Sequence, residues 1–263
     1  MNKLIIGVSV YNSFTNLENI FFEIKNSLEK KFVEIVVIDN NSQIDLTKKK
    51  KLIKSLNNKY KIPVTLIINH ANYGMGGSQK ILFNFFKKKK FDYYLNLHSS
   101  GRYSTFKVLT AVLHNLEKKY DYIIFSRFLS KSNIKNYSKI RYIGNLFFIK
   151  LTVFLSSCRF SDPGNAIYCI SSELFNKLKF DDLTNSSQFN HLLNIIIFKK
   201  LPIFKEIAIE WGEGKVKSHL QVFPYVITLF LQLISYFFFS RFNFFPQEKK
   251  FNFKSNYFFF NNK

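Results

Sequence analysis

The most constraining stretch of the chain is residues 32–42, which read FVEIVVIDNNS. Its apolar residues are mostly β-branched and nearly continuous, which is typical of a strand buried on both faces of a parallel sheet. The run ends abruptly at Asp39. A carboxylate at the carboxyl end of such a strand lies in the crevice where open α/β sheets bind ligands. Asp39 can equally cap the turn or helix that follows, so both roles stay open.

Apolar runs and helical spacings alternate around this stretch. The elements predicted over about the first 70 residues are strands at 4–10, 32–38 and 64–68 and helices at 17–28 and 45–57. This β-α-β-α-β order predicts a doubly wound, mostly parallel sheet with helices on both faces. Further strands are predicted at 93–97, 122–125 and 203–209, with helices at 106–116, 141–155 and 189–196.

A glycine-containing loop, residues 69–78, follows the third strand. Glycines permit positive φ and let backbone N–H groups approach a ligand closely. The loop is not a Walker loop, because no Gly-Lys-Ser/Thr ends it, and it follows the wrong strand for a dinucleotide fingerprint. It is therefore either a tight turn or a contact for phosphate or ribose.

The formal net charge of +22 predicts attraction to anionic membranes, nucleic acids or phosphorylated ligands. The lysine clusters at 48–51 and 87–90 are interpreted as solvated faces, with membrane contact as the alternative. No nucleic-acid-binding motif is present, so nucleic acid is not an expected partner. Cys158 and Cys169 match neither a metal-ligand spacing nor a disulfide framework, which favours a reducing cytoplasm. The first apolar run is too short for a signal peptide.

Residues 222–239 form an uncharged, largely apolar run at the lower limit of length for a membrane-spanning helix. Pro224 and Gln232 make it less hydrophobic than most spans. We expect a helix in the membrane interface; a single span and a buried helix facing a partner remain alternatives. Arg241, Lys249 and Lys250 follow, interleaved with phenylalanines, which suits the cytoplasmic surface of an anionic bilayer.

Polar residues follow the predicted strands in a recognisable order. The motifs are Tyr11-Asn12, Asp39-Asn40-Asn41-Ser42, Asn72 to Ser78, His98-Ser99-Ser100-Gly101, Ser126-Arg127 and Ser161-Asp162-Pro163. In this order they resemble family 2 glycosyltransferases of GT-A fold, and more narrowly the dolichol- and polyprenyl-phosphate sugar synthases. The resemblance covers about residues 3–218. It implies a GT-A domain at 1–218 and an apolar, basic, membrane-associated tail at 219–263.

The resemblance implies transfer of a sugar, with inversion, from a nucleotide-diphosphate sugar to a polyprenyl phosphate or a membrane-held glycan intermediate at the cytoplasmic face of the membrane. Asp162 would lie near the acceptor as the catalytic acid or base, because an acid flanked by apolar segments can act as a general base; a turn aspartate is the alternative. The implied nucleotide-sugar contacts are Tyr11, Asn12, Asp39, Asn41, Asn72, Gly74, Ser99, Ser100, Arg127, Lys215 and Lys217.

The chain departs from the family pattern where the family binds metal. Mg²⁺ and Mn²⁺ prefer carboxylate oxygens. Here Ser100 stands at the usual aspartate position and His98 at that of the first acid, which leaves His98 as a weak metal ligand. Lys215 and Lys217 could offset the missing charge as phosphate partners; a solvated basic loop is the alternative for this segment. A second hypothesis follows, in which a catalytically impaired GT-A domain serves as a binding or scaffold subunit. The sequence does not predict an oligomeric state.

Overall fold

The computed structural model describes residues 3–27, 33–135, 137–212, 222–239 and 252–261. Over the first half of the chain, strands and helices alternate as the hydrophobic pattern predicts. The elements are β1 (Leu4–Val10), α1 (Leu17–Ser27), β2 (Val33–Asp39), α2 (Leu46–Tyr60), β3 (Val64–Asn69), α3 (Gly74–Phe86), β4 (Tyr93–His98), α4 (Thr105–Leu116) and β5 (Tyr122–Ser126). A short 3-10 turn, Phe14–Asn16, precedes α1.

The second half is less regular in its order of elements. Its elements are β6 (Asn133–Ile134), α5 (Lys139–Ser156), β7 (Tyr168–Ser171), α6 (Ser172–Asn176), α7 (Phe189–Lys199), β8 (Phe204–Ala208), β9 (Glu210–Trp211), α8 (Val222–Phe239) and β10 (Ser255–Phe260). The strands β6 and β9 form a small parallel pair outside the main sheet.

The main sheet has the strand order β10-β3-β2-β1-β4-β7-β5-β8. Strands β3, β2, β1 and β4 are parallel neighbours, and β5 is parallel to β8. The exceptions are β7, antiparallel to β4 and β5, and β10, antiparallel to β3. The predicted α/β fold with a mostly parallel sheet is therefore confirmed.

Helices cover both faces of the sheet because its central strands are apolar throughout. Along β1, Ile5 belongs to one core cluster and its neighbours Leu4 and Ile6 to the other, since successive side chains of a strand point to opposite faces. Apolar side chains of α1, α2 and α4 fill one cluster, and those of α3, α5, α7 and α8 fill the other. These helices supply the buried environment that parallel strands require.

The C-terminal segment joins this architecture. Strand β10 pairs with β3, Ser255 opposite Asn69 and Phe260 opposite Val64, and the sequence pattern did not predict it. Residues 222–239 are helical as predicted, and Leu229 and Leu233 of α8 are fully buried. No helix among the described residues combines the length and apolar character needed to cross a membrane. The predicted boundary after residue 218 thus separates segments that share one sheet and one core.

Candidate active site

The register of the sheet brings the polar strand ends to one edge. Val10 pairs with Asp39, and Ser9 pairs with His98. Strand β5 runs in the same direction as β4, because β7 is antiparallel to both. Arg127, which follows β5, therefore lies at the same edge. This is the crevice in which open α/β sheets place ligands.

Hydrogen bonds tie the loops at this edge together. The backbone N–H of Asn12 donates to Ser42 Oγ at 2.7 Å, which joins the loops after β1 and β2. The hydroxyls of Ser13 and Ser99 are hydrogen-bonded, and Asn16 Nδ2 donates to the Ser99 carbonyl at 2.7 Å. The loops after β1, β2 and β4 thus form one connected surface.

Asp39 is fully buried, with both carboxylate oxygens engaged. Oδ1 accepts from the Ser42 N–H at 3.0 Å, and Oδ2 accepts from Lys49 Nζ at 2.7 Å. Asp39 therefore caps the turn, one of the two roles that the sequence left open. Its contact with a nucleotide stays a prediction.

Lys49 corrects the interpretation of residues 48–51 as a solvated cluster. Its side chain is buried and also donates to the Ser42 carbonyl at 2.8 Å. The signal was present in the sequence, because Lys49 precedes the buried Ile53 and Leu56 by four and seven residues on one helical face. A lysine on the apolar face of a helix needs a buried anion, and Asp39 is that anion.

Asn40 and Asn72 fasten the end of β2 to the glycine-containing loop. Asn40 Nδ2 donates to Asn72 Oδ1 at 2.7 Å, and Asn40 Oδ1 accepts from the Tyr73 N–H at 2.9 Å. Asn72 Oδ1 also accepts from the Gly74 N–H at 3.0 Å. These bonds give the two asparagines a structural role, and the nucleotide contacts of Asn72 and Gly74 stay predictions.

The glycines of α3 allow another segment of the chain to lie against its N-terminus. The N–H groups of Gly76 and Gly77 donate to the carbonyls of Ser186 and Asn185, at 3.2 and 3.1 Å. A Cβ at Gly76 would lie 2.3 Å from the Thr184 carbonyl oxygen, and Gly74 has φ of +76°. Of the two roles left open for this loop, close packing therefore accounts for its glycines, because backbone carbonyls occupy these N–H groups.

Asp162 and Arg127 form a buried ion pair. Asp162 Oδ2 accepts from the backbone N–H of Arg127 at 3.0 Å and from Nε at 2.7 Å, and Oδ1 accepts from Nη2 at 2.8 Å. Burial opposes the charge of Arg127, but the neighbouring carboxylate outweighs it and raises the pKa of Arg127 above its ordinary value. Arg127 takes three of the roughly four acceptor positions of the carboxylate. Asp162 can therefore abstract a proton only if this pair rearranges.

An aromatic cluster surrounds the arginine. Trp211 stacks on Tyr103 with ring centroids 6.0 Å apart, and its ring centroid lies 5.2 Å from the guanidinium carbon of Arg127. The ring of His98 lies 5.8 Å from Trp211. Burial, together with the charges of Arg102 and Arg127, lowers the pKa of His98 to about 4. His98 is therefore neutral at pH 7, in a positive local field that favours an anionic ligand.

Residues 5–181 match the family profile described as glycosyl transferase family 2. The chain belongs to glycosyltransferase family 2. No curated protein matches it.

Solved structures similar to this glycosyltransferase include those of glucosyl-3-phosphoglycerate synthase from Mycobacterium tuberculosis. Its complex with Mn²⁺, UDP and glucosyl-3-phosphoglycerate has 13% identity and a TM-score of 0.62, over 97% of this chain and 86% of that one. Its complex with phosphoglyceric acid has 12% identity and a TM-score of 0.62, over 94% of this chain and 82% of that one. This likeness shows that the glycosyltransferase has the GT-A fold.

The residues around His98 do not fit a hard divalent cation. The complex of the similar synthase with UDP and glucosyl-3-phosphoglycerate contains Mn²⁺. Among the described residues of this glycosyltransferase, no group of three or more His, Cys, Asp or Glu could hold a metal ion. The neutral imidazole of His98, in the positive field of Arg102 and Arg127, and the hydroxyl of Ser100 are poor ligands for Mg²⁺ or Mn²⁺.

Ser99 and Ser100 differ in how their hydroxyls are satisfied. Ser99 Oγ donates to the Ser9 carbonyl at 3.1 Å. Ser100 Oγ is buried and has no hydrogen-bond partner among the described residues. A buried hydroxyl without a partner costs about 1–3 kcal/mol. The contact of Ser100 with a nucleotide sugar, which would satisfy this hydroxyl, stays a prediction.

Two residues that the sequence analysis missed, His191 and Tyr225, meet the predicted contact Arg127 near Gly164. His191 Nδ1, Arg127 Nη2 and Tyr225 Oη lie 3.6, 3.9 and 3.9 Å from the position that a Cβ of Gly164 would take. Burial and the charge of Arg127 lower the pKa of His191 to about 3, and burial raises the pKa of Tyr225 to about 12. The sequence signal was a polar residue within each of two apolar helical runs.

Glu206 of β8 is a further acid near Asp162. Its Oε1 accepts from the N–H of Ser161 at 2.7 Å and from Ser161 Oγ at 2.9 Å. Burial raises the pKa of Glu206 above its ordinary value, the bonds from Ser161 oppose this, and the charge of Asp162 adds to it. Glu206 was missed because it lies inside a strand rather than at its end.

Of the remaining predicted contacts, three lie in the part of the chain that the structure describes and two lie outside it. Tyr11 is half-buried, and Asn41 is exposed with φ of +62° in the turn after β2. Asn12 has φ of +51° at the end of β1. Lys215 and Lys217 lie outside the described residues, so their contact with a diphosphate stays a prediction.

Proposed function

We propose that this protein transfers a sugar from a nucleotide-diphosphate sugar to a membrane-held acceptor, either a polyprenyl phosphate or a glycan intermediate. The observation that carries the proposal is the grouping of Arg127, His98 and Ser100 at the strand ends of a family 2 fold. This edge offers positive charge and an unpartnered buried hydroxyl, which suit a diphosphate.

The reaction is a displacement at the anomeric carbon. An acceptor oxygen forms a bond to that carbon, and the bond to the diphosphate breaks, so that the nucleoside diphosphate leaves with the electron pair. Arg127 and Arg102 would stabilise the negative charge that develops on the leaving group. A single displacement inverts the anomeric centre.

The protonation state of the acceptor decides whether a base is needed. A phosphate acceptor is already anionic and needs none. A sugar hydroxyl must lose a proton, and Asp162 would take it after its pair with Arg127 rearranges. The engaged state of Asp162 therefore favours the phosphate acceptor.

Binding of the donor is the first test. Thermal denaturation with UDP-, GDP- and dTDP-sugars, each with and without Mn²⁺, should give one nucleotide that raises the melting temperature progressively with its concentration. Ser100→Ala should weaken that shift, whereas Ser132→Ala, in the loop after β5, should leave it unchanged. If no nucleotide sugar shifts the melting temperature, the transferase proposal fails.

The second candidate function is a catalytically impaired domain that binds a nucleotide sugar or a partner without transfer. It is favoured by His98 and Ser100, which stand where the family has acids. A radiolabelled-sugar transfer assay with a polyprenyl phosphate acceptor separates the two. Transfer by the natural protein that is abolished in Arg127→Gln excludes the impaired domain, whereas donor binding without transfer supports it. Ser100→Asp then tests whether Mn²⁺-dependent hydrolysis of the donor appears.

We also propose a position at the cytoplasmic face of the membrane, with peripheral attachment. Cys158 and Cys169 are both free thiols, which suits a reducing compartment. Leu229 and Leu233 of α8 are buried against the protein, which supports attachment through the opposite side of this helix.

A further inference from the structure

Two neighbouring helices, α5 and α8, expose large apolar side chains. Ile140 and Phe154 of α5 are 80% and 77% exposed, and Phe223 of α8 is 76% exposed. We define the α5–α8 face as the following residues: Ile140, Ile143, Phe147, Phe154, Phe223, Ile227, Phe230, Phe237 and Phe238.

The spacing of these residues makes one stripe on each helix. On α5 they recur at intervals of three, four and seven residues, and on α8 at four, three, seven and one, which keeps each set on one side of its helix. The rings of Phe154 and Phe237 are stacked with centroids 6.5 Å apart, so the two stripes adjoin. A contiguous exposed apolar surface of this kind marks an interaction site.

The charges on these helices indicate the chemistry of the partner. Residues 139–156 and 222–239 contain no Asp or Glu, and their three charged residues are Lys139, Arg141 and Lys150. An interfacial helix combines this pattern of apolar side chains, which reach the acyl boundary, with basic ones that meet anionic headgroups. A second copy packed face to face would instead bring like charges together, with no carboxylate from either helix to pair them.

The face adjoins the candidate active site. Tyr225, on the first turn of α8, lies two residues from Phe223 and has its hydroxyl near Gly164 beside Arg127. A cavity of about 260 Å³ is lined by Ile143 of the face and by Tyr137, together with Ile134, Lys139 and Tyr142. Tyr142 packs on Phe128 with ring centroids 5.6 Å apart, and the guanidinium carbon of Arg127 lies 5.3 Å from the Phe128 ring centroid. An acceptor phosphate whose lipid chain stays in the bilayer would have a short path to Arg127.

We infer that the α5–α8 face docks this protein on an anionic phospholipid bilayer. The inference deepens the proposed function, since it rests on a lipid-held acceptor and names the surface that brings the protein to it. Docking itself needs neither donor nor transfer, so the two can fail separately.

Co-flotation of the full chain with vesicles tests the inference. The vesicles contain either phosphatidylcholine alone or equal parts of phosphatidylcholine and phosphatidylglycerol. The test variant is Phe154→Ser with Phe223→Ser, one change on each helix. The matched control is Phe22→Ser with Phe106→Ser, which are 52% and 44% exposed on α1 and α4, on the opposite face of the sheet.

We expect the natural protein and the control to float with the anionic vesicles, and the test variant to lose roughly tenfold or more in partitioning. Donor-induced thermal shifts, measured in parallel, should be the same for all three proteins. The inference is overturned if the test variant floats like the control. It is also overturned if the natural protein shows no preference for anionic vesicles, or if sedimentation shows a dimer that only the test variant loses.

A test variant that no longer floats but keeps its donor-induced shift supports docking through this face. Vesicle binding by a protein that binds no nucleotide sugar would leave the docking surface standing and remove the proposed transferase function. The test variant could lose both flotation and the donor-induced shift because it is less stable, which a lowered melting temperature would show. In that case Lys150→Gln provides the second test. That change at the edge of the face should weaken flotation on anionic vesicles without altering the fold, and unchanged flotation would count against docking.

Discussion

Replacement of Lys49 by methionine should destabilise this protein far more than the position of Lys49 in a lysine-rich run suggests. The side chain of Lys49 is 5% exposed and that of Asp39 is 0% exposed, with 2.7 Å between Nζ and Oδ2. Removal of one partner from such a pair leaves an uncompensated buried charge and costs about 3–5 kcal/mol. The free energy of unfolding of an ordinary domain is about 5–15 kcal/mol. The change would therefore remove a large fraction of the stability of this protein.

The double variant Asp39→Asn with Lys49→Met tests whether this loss of stability comes from the interaction between the two charges. Asparagine keeps an oxygen that can accept from the Ser42 N–H, which Asp39 binds at 3.0 Å, and methionine approximates the aliphatic length of lysine. We expect a loss of about 1–2 kcal/mol, since mainly the bond from Lys49 to the Ser42 carbonyl is missing. The coupling energy of the two single changes should exceed about 2 kcal/mol.

Urea unfolding at pH 7, followed by circular dichroism, measures all four proteins. The matched control is Lys51→Met, at an exposed position two residues after Lys49 on α2. This change should lower the free energy of unfolding only slightly. Additive single changes, or a loss below about 1 kcal/mol for Lys49→Met, would refute the buried-pair argument. The double variant then tests the remaining role of Asp39, because loss of donor binding in a folded protein would identify Asp39 as a ligand contact.

Three further changes test other parts of the site. Gly76→Ala should destabilise the protein by about 1–3 kcal/mol in urea unfolding, because the new Cβ would lie 2.3 Å from the Thr184 carbonyl oxygen; no loss would mean that segment 184–186 does not pack on α3 as described. The folded-state pKa of His191 is about 3, against an ordinary value of 6.5, so the unfolded state binds the extra proton as pH falls. Stability should therefore be intact above pH 6.5 and fall by about 1.4 kcal/mol per pH unit toward pH 3, and His191→Gln should reduce that slope in urea titrations at several pH values. Arg127→Lys keeps the charge but not the paired geometry with Asp162, so transfer activity should fall roughly tenfold or more, and unchanged activity would exclude the role proposed for Arg127.

The regular part of the fold could be predicted because its signals are local. The β-branched run of β2 and the helical spacing of α1 and α4 depend on neighbours within one or two turns, and both survive in the structure. The ends of the strands were predictable for the same reason, since apolar runs stop where polar residues begin. Strand β10 was missed, since its pairing with β3 joins residues about 190 positions apart.

The state of each side chain at the site depended on contacts that no local pattern carries. The amide groups of α3 bind the carbonyls of residues 185 and 186, about 110 residues along the chain. Asp162 meets Arg127 over a separation of 35 residues. Tyr225 reaches the same place from a helix that the sequence analysis expected in the membrane interface.

The sequence by itself therefore determined that buried parallel strands end in polar residues at a common edge. It could do so because the periodicity of strands and helices depends on residues that are close together in the chain. Only the tertiary structure decided which of those polar groups are already engaged by other parts of the chain. It paired Asp39 with Lys49 and Asp162 with Arg127, and it left Ser100 Oγ without a partner among the described residues. The physical reason is that burial makes an ion pair or an unpaired hydroxyl significant, and burial is a property of packing.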